Sequence, residues 1–296
     1  VQSAWIGGLA EWMIGDTAFL SVAFTWKLPE ARARAVWYRA LGQKVICGGP
    51  AVHEHPKYLA DVAEWRREFP DAVRYHNPAA TFATKGCNER CSFCNVWRIE
   101  GDFTYYPEFA VRPVLCDNNL SAIDPKYQEH IIARYKAERV PLLDANSGFE
   151  PKSFDGAVFA RWREINRGPW RFGFDESGER ETVRRVMAML RGASVPAKKI
   201  RPYVLIGNEP PDACLARIRE VIEWGGEPHV QPFIKHKSLE KRAHVSRAMG
   251  WTPQLLTDMA RWANRRIWRY AAFDDYRRSA KTERADRFDK QQGLFV

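Results

Sequence analysis

The sequence predicts an α/β protein: a partial (β/α)6 barrel, preceded by a small α/β segment and followed by a helical extension. Three observations carry that expectation. From position 80 onward, short apolar runs rich in β-branched and aromatic residues recur roughly every 30 residues, the spacing of strand-plus-helix units. Segments of helical length separate most of them, which suits parallel strands joined by crossover helices. With 45% hydrophobic and 13% aromatic residues over 296 positions, the chain can bury a core of that size.

Residues 1–78 read as the small, Rossmann-like α/β segment. "AFLSVAFT" (18–25) suits a buried strand, and a helix is expected from Pro29 to Leu41, with proline in its first turn. "QKVICGGPAV" reads as a second strand ending at Gly48 and Gly49, where the backbone can turn tightly, and a helix is expected over Pro56–Phe69. The proline-bearing stretch 69–80 marks the boundary. Residues 79–235 form the expected barrel, with strands over 80–84, 112–117, 140–144, 170–174, 200–206 and 228–233. Helices are expected over 124–138, 153–166, 178–192 and 210–224. Six units are fewer than the eight of a closed barrel, hence a partial one. Residues 236–296 form the extension, with a long helix from Pro253 to Arg278.

No apolar run reaches the roughly 20 residues that cross a bilayer, and the opening lacks the basic and apolar regions of a signal peptide. A cytoplasmic protein without membrane partners is expected. The chain opens on Val1 rather than Met, which leaves room for residues upstream. Net charge is +10, and positions 235–290 hold 15 Lys/Arg against 7 Asp/Glu. Such a balance suits an anionic partner, nucleic acid or a phosphorylated small molecule. Arg261, Arg265, Arg266 and Arg269 interleave with Trp262, Trp268 and Tyr270, so that cations would hold phosphates while rings stack on an unpaired base. A solvated helix with Trp262 and Trp268 on its core face is the plainer alternative.

"KGCNERCSFCNVWRIEG" (85–101) places Cys87, Cys91 and Cys94 within eight positions in a chain of six cysteines. An odd number argues against a disulfide framework. A structural zinc site needs a fourth ligand, for which His76 and His130 lack the usual short pairing. Cys47 and Cys116 lie in apolar runs and read, with Cys214, as small core hydrophobes. Three thiolates from one polar loop suit a cubane iron–sulfur cluster that leaves one iron open for substrate.

The C-x3-C-x2-C spacing, the aromatic Phe93 before the last cysteine, and the loop's place after a strand resemble the radical S-adenosylmethionine (SAM) enzymes, over roughly residues 79–235. The resemblance implies that Cys87, Cys91 and Cys94 ligate a [4Fe–4S] cluster whose fourth iron takes SAM. It further implies reductive SAM cleavage to a 5′-deoxyadenosyl radical, which abstracts hydrogen from a substrate shielded by the barrel. An electron donor such as flavodoxin or ferredoxin is implied as a partner. "VLCDNNLS" (114–121), "LLDANSGFEP" (142–151), "WRFGFDES" (170–177), "YVLIGNEPPDACLARI" (203–218) and "PHVQPFIK" (228–235) resemble successive strand ends of the branch related to cobalamin-dependent members. They assign Asp117 and Asn118 to the SAM ammonium and Asn146 and Ser147 to its ribose or carboxylate. Asp175 and Gln231 complete the cofactor-binding set with Phe93.

Residues around Ser21 and Gly48–Gly49 resemble the end of a cobalamin-binding domain. No D-x-H-x-x-G is present, and too few residues precede Ser21, so a bracing remnant without cobalamin is expected. No further cysteine cluster supports an auxiliary iron–sulfur centre, and a lone Cys214 does not supply the catalytic cysteine pair of the family's RNA methylases. The preferred substrate is a nucleic-acid base or nucleotide. A small molecule or peptide is the alternative within the class, and a non-catalytic metal-containing nucleic-acid-binding module is the alternative outside it.

Overall fold

The computed structural model describes residues 5–277 apart from 68, 70 and 71. The molecule is mixed α/β, with helices around several small sheets. The N-terminal layer begins with a hairpin, β1 (Leu9–Ile14) and β2 (Thr17–Val22), turning at Gly15, whose φ is +55°. Helix α1 (Leu28–Ala40) carries Pro29 in its first turn and crosses over to β3 (Lys44–Gly48), which lies parallel to β2. The short α2 (Pro50–Glu54) then starts from Gly49 at φ +98°; a Cβ there would sit 2.6 Å from the Val22 carbonyl oxygen. Leu20, Leu28, Ala35 and Val45 are buried together between the sheet and α1.

The helix expected over 56–69 does not form. Turns anchored on buried Leu59 lead instead into β4 (Glu64–Trp65), which pairs parallel with β3. Arg32 holds the Asp61 carboxylate at 2.6 Å and the Tyr58 carbonyl at 3.0 Å, fixing the segment on α1. The sheet's unpaired edge thus overrides a helix-compatible pattern.

After α3 (Val73–His76), the segments that lie parallel to one another follow sequence order. β5 (Ala80–Thr81) pairs with β8 (Val114–Leu115), and β8 with β9 (Asp144–Ala145). Between β5 and β8 lie an antiparallel pair, β6 (Thr84–Lys85) and β7 (Thr104–Tyr105), and the short α4 (Val96–Ile99). The stretch around 170–174 joins the row through single parallel bridges, Phe149 to Phe172 and Gly173 to Tyr203. The row ends with β10 (Tyr203–Ile206) beside β11 (His229–Pro232). Among the described residues no pairing returns from β11 to β5, so no closed barrel exists.

Helices α5 (Pro125–Ala137), α6 (Gly156–Trp162), α7 (Arg180–Gly192) and α8 (Pro211–Glu223) intervene where the sequence places them, α6 shorter than expected. Two begin with side-chain caps: Asp124 accepts from the Lys126 amide at 2.7 Å, and Asp155 from the Val158 amide at 2.8 Å. Their apolar faces meet the row in one large core that includes Ile131, Trp162, Phe172, Val186 and Ile218. Arg171 and Asp144, both buried, form a two-pronged pair at 2.7 and 2.9 Å across neighbouring segments.

The C-terminal helix, α9 (Pro253–Asn264), ends well before Arg278, which itself lies outside the described residues. Asn264 at its end donates to the Val230 carbonyl at 2.9 Å and accepts from the Val230 amide at 2.7 Å, closing part of the free edge of β11. Arg266 then adopts a left-handed φ of +56°, which no continuing helix permits. Among the described residues, no helix is long and apolar enough to cross a membrane.

Candidate functional site

The antiparallel pair β6–β7 clamps the cysteine loop at its base. Gly86 enters it at φ +87°, and a Cβ there would lie 2.2 Å from the Asp102 carbonyl oxygen, so the position needs glycine. The Gly86 amide donates to Glu100 at 2.8 Å and the Cys87 amide to the Gly101 carbonyl at 3.1 Å. A tight turn follows, with the Cys94 amide on the Cys91 carbonyl at 3.1 Å. Three side chains then hold the cysteine carbonyls: Arg90 on Cys87 at 3.0 Å, the Trp97 indole on Cys91 at 3.2 Å, and Arg98 on Cys94 at 2.9 Å. Arg98 also stacks over Trp97, 4.2 Å from the ring centroid. The loop's charged residues thus fix its backbone and leave the three thiols free of one another as disulfides.

Burial pushes the Cys91 thiol up to about 12, and the neighbouring Cys94 adds to the rise. Cys87 and Cys94 are raised as well, mainly by burial. Three such thiols resist becoming thiolates together unless a cation compensates them. The Glu89 amide approaches the Cys87 sulfur at 3.4 Å and the buried Asn119 amide group at 3.9 Å, weak donors that would favour a thiolate there. Among the described residues, no three His, Cys, Asp or Glu side chains are grouped to hold a single metal ion. The histidines weighed as a fourth zinc ligand are engaged elsewhere. His76 is buried against the Ser21 hydroxyl at 2.9 Å, and His130 meets the Pro107 carbonyl at 3.1 Å. Cys47, Cys116 and Cys214 are buried, as their apolar surroundings imply.

A cleft of about 450 Å³ opens beside the loop, a size typical of ligand pockets. Cys94 and Phe93 form one side. Asn118, Ser147, Asp175 and Gln231, at or just past four of the parallel segments, line it too. Asn118 is oriented by the same carboxylate that holds the loop, donating to Glu100 at 2.7 Å and to the Gly86 carbonyl at 3.3 Å. The Ser147 hydroxyl donates to the Cys116 carbonyl at 3.3 Å. Burial, reinforced by Glu179 and opposed by Arg217, lifts the Asp175 carboxyl to about 7.

Two expected members are not among the residues lining the cleft. Asp117 is fully buried, and its carboxylate accepts from the Ala83 amide at 3.0 Å and the Thr84 hydroxyl at 2.5 Å, as well as from the Thr84 amide. It secures the segment that enters the cysteine loop. Asn146 offers its carbonyl to the Tyr203 hydroxyl at 2.8 Å and its amide to Leu115 at 2.8 Å. Sequence reasoning also missed members. Asn119 and Glu100 brace the loop, and Phe24, Thr25, Trp26 and Glu54 of the N-terminal layer form the far wall of the cleft. The repeated amide in "DNN" was a signal for Asn119; nothing local marked the far wall.

The space beside Ser21 and Gly49 is a cavity of about 90 Å³ that shares Trp5, Pro50, Ile99 and Glu100 with the cleft. In the C-terminal stretch, Trp262 is buried with its indole on the Ala271 carbonyl at 2.9 Å. Arg266 and Arg269 grip the buried Glu227 at 2.6 and 2.7 Å. Two of the four arginines expected to hold phosphates therefore neutralise a core carboxylate. No protein-family model matches the chain, and no curated protein matches it significantly.

Proposed function

We propose that the chain is a radical SAM enzyme with a single [4Fe–4S] cluster, held by Cys87, Cys91 and Cys94, and that its row of parallel segments serves as a partial barrel. The observation that carries the reading is convergence: the cysteine loop and four polar residues from separate strand ends line one ligand-sized cleft. In a cubane each thiolate takes a different iron, so its ligands need not converge on one point as those of a single ion do. The donor set suits such a group, because three half-buried thiols whose thiolates would repel one another gain most from a cationic cluster.

When bound, cluster and SAM together supply reductive cleavage of the sulfonium C–S bond, giving methionine and a 5′-deoxyadenosyl radical. The chain's own residues do the remaining work. Asn118 and Ser147 offer hydrogen bonds to the polar groups of SAM, Asp175 and Gln231 close the far strand ends, and Phe93 shields the loop side from water. Glu100 couples the two halves of the site, since one carboxylate orients both Gly86 and Asn118. A small one-electron carrier such as flavodoxin or ferredoxin is the partner this chemistry requires.

Anaerobic reconstitution tests the reading. About four irons per chain and a reduced-cluster electron paramagnetic resonance signal that changes on adding SAM are expected. Stoichiometric zinc in place of iron, or a reduced cluster indifferent to SAM, would refute it.

A further inference from the structure

A second basic feature lies beside the cleft, away from the stretch 261–270. Residues 232–257 line a groove of about 910 Å³, twice the cleft's volume. Lys235, Lys237, Lys241 and Arg247 lie along it, all exposed, and none has an ion-pair partner among the described residues. Arg242 is the exception, 3.8 Å from Glu240. Lys235 lines both spaces, so the groove adjoins the cleft there. The junction is anchored on the N-terminal layer: Thr25 donates to the Ser238 carbonyl, and the His55 ring meets the Lys237 carbonyl at 3.2 Å.

At this junction the cleft wall is aromatic. Phe24 and Trp26, both half-buried, stack with ring centroids 4.6 Å apart and planes 9° from parallel. A flat ring entering from the groove meets a ready stacking platform in the cleft that Cys94 also lines. Cations spread along a groove suit a chain of phosphates better than a single one, and an aromatic platform at its end suits an unpaired base.

We infer that the substrate is single-stranded nucleic acid, its backbone held by Lys235, Lys237, Lys241 and Arg247 and one base placed against Phe24 and Trp26 in the cleft. The inference rests on the proposed reaction only in taking the cleft beside Cys94 as the reacting site. It moves phosphate recognition from Arg266 and Arg269, which serve Glu227, to the groove. It also gives the N-terminal layer a role in substrate binding.

The test is binding of a fluorescent ten-nucleotide single strand to the reconstituted full-length protein, followed by anisotropy across a salt series. Each phosphate neutralised adds roughly −0.7 to the slope of log affinity against log salt, so about −3 is expected for four contacts. Exchanging the four cations together for glutamine should flatten the slope towards zero, while Lys235→Arg should keep it. Trp26→Ala should weaken binding by about tenfold with the slope unchanged, as lost base stacking requires. Circular dichroism confirms that each variant folds, and a Phe24→Leu variant reads the platform independently. A mononucleotide or a poly-glutamate peptide that binds as tightly as the strand would overturn the inference. So would a salt slope near zero in the parent. Strand binding without SAM cleavage would refute the proposed reaction and leave only the strand-binding groove standing, whereas cleavage without salt-dependent binding would overturn this inference and leave the reaction.

Discussion

The cysteine loop (85–101) and the stretch 261–270 are the two densest clusters of functional-looking side chains in the chain, and they behave oppositely. In the loop, arginines and a tryptophan hold backbone carbonyls, leaving the three thiols free of disulfides and Cys94 and Phe93 on the cleft. In the C-terminal stretch, one tryptophan and two of the four arginines are spent on the fold. Trp262 joins the core, and Arg266 and Arg269 neutralise the buried Glu227. Cation and aromatic density alone does not mark a site. What matters is whether the polar groups spend their hydrogen bonds on the fold or keep them for a ligand.

The largest effect should come from the loop. Changing Cys87, Cys91 or Cys94 singly to alanine should abolish iron binding and SAM cleavage, whereas Arg261→Gln with Arg265→Gln should alter neither. Iron content and SAM turnover, measured side by side on these variants, decide whether the contrast holds. Next is Gly86→Ala. Its Cβ would strike the Asp102 carbonyl at a backbone angle that L residues disfavour, so a loss of about 3 kcal/mol in stability is expected, read by denaturant unfolding.

The other half of the comparison breaks through Glu227. Glu227→Ala leaves Arg266 and Arg269 without their carboxylate; because both guanidinium groups are partly exposed, the expected cost is about 1–2 kcal/mol, visible as a lower Tm. A loss as large as that of Gly86→Ala would mean the stretch is more deeply integrated than its exposure implies.

The smallest effect concerns Asp175. Its carboxyl is raised to about 7 in the folded protein, by burial first and by Glu179 second, against Arg217. Between the unfolded value near 4 and about 7, the folded state holds a proton that the unfolded state has released, so stability falls as pH rises through that window. Asp175→Asn should remove this slope and leave the protein more stable by about 1 kcal/mol at pH 8, with little change at pH 4. Thermal melts at the two pH values, in the absence of SAM, check the sign.

The sequence-level signals that proved reliable were local. Proline and capping residues positioned α1, α5 and α9, and apolar runs located the row of parallel segments, although several shrank to two-residue strands or single bridges. Non-local pairings were not legible. The edge of β3 recruited Glu64–Trp65 from a segment with a helical pattern, and Asn264 ended a helix by pairing with Val230. At the candidate site, residue types were readable and orientations were not. In "DNN", the aspartate faces inward to Thr84, the first asparagine lines the cleft and the second reaches Cys87, a division set by partners 18 to 33 residues away. The far wall of the cleft comes from the N-terminal layer, whose Phe24 and Trp26 carry no motif.

The central claim is that the cysteine loop and the strand-end residues form one SAM-cleaving site. Its most direct measurement is the release of 5′-deoxyadenosine and methionine from SAM by the anaerobically reconstituted, reduced protein, quantified by chromatography with mass detection. Equal amounts of both products are expected, with none from Cys91→Ala and a marked reduction from Ser147→Ala. SAM recovered intact from a protein that carries its full complement of iron, or undiminished cleavage by Cys91→Ala, would contradict the claim.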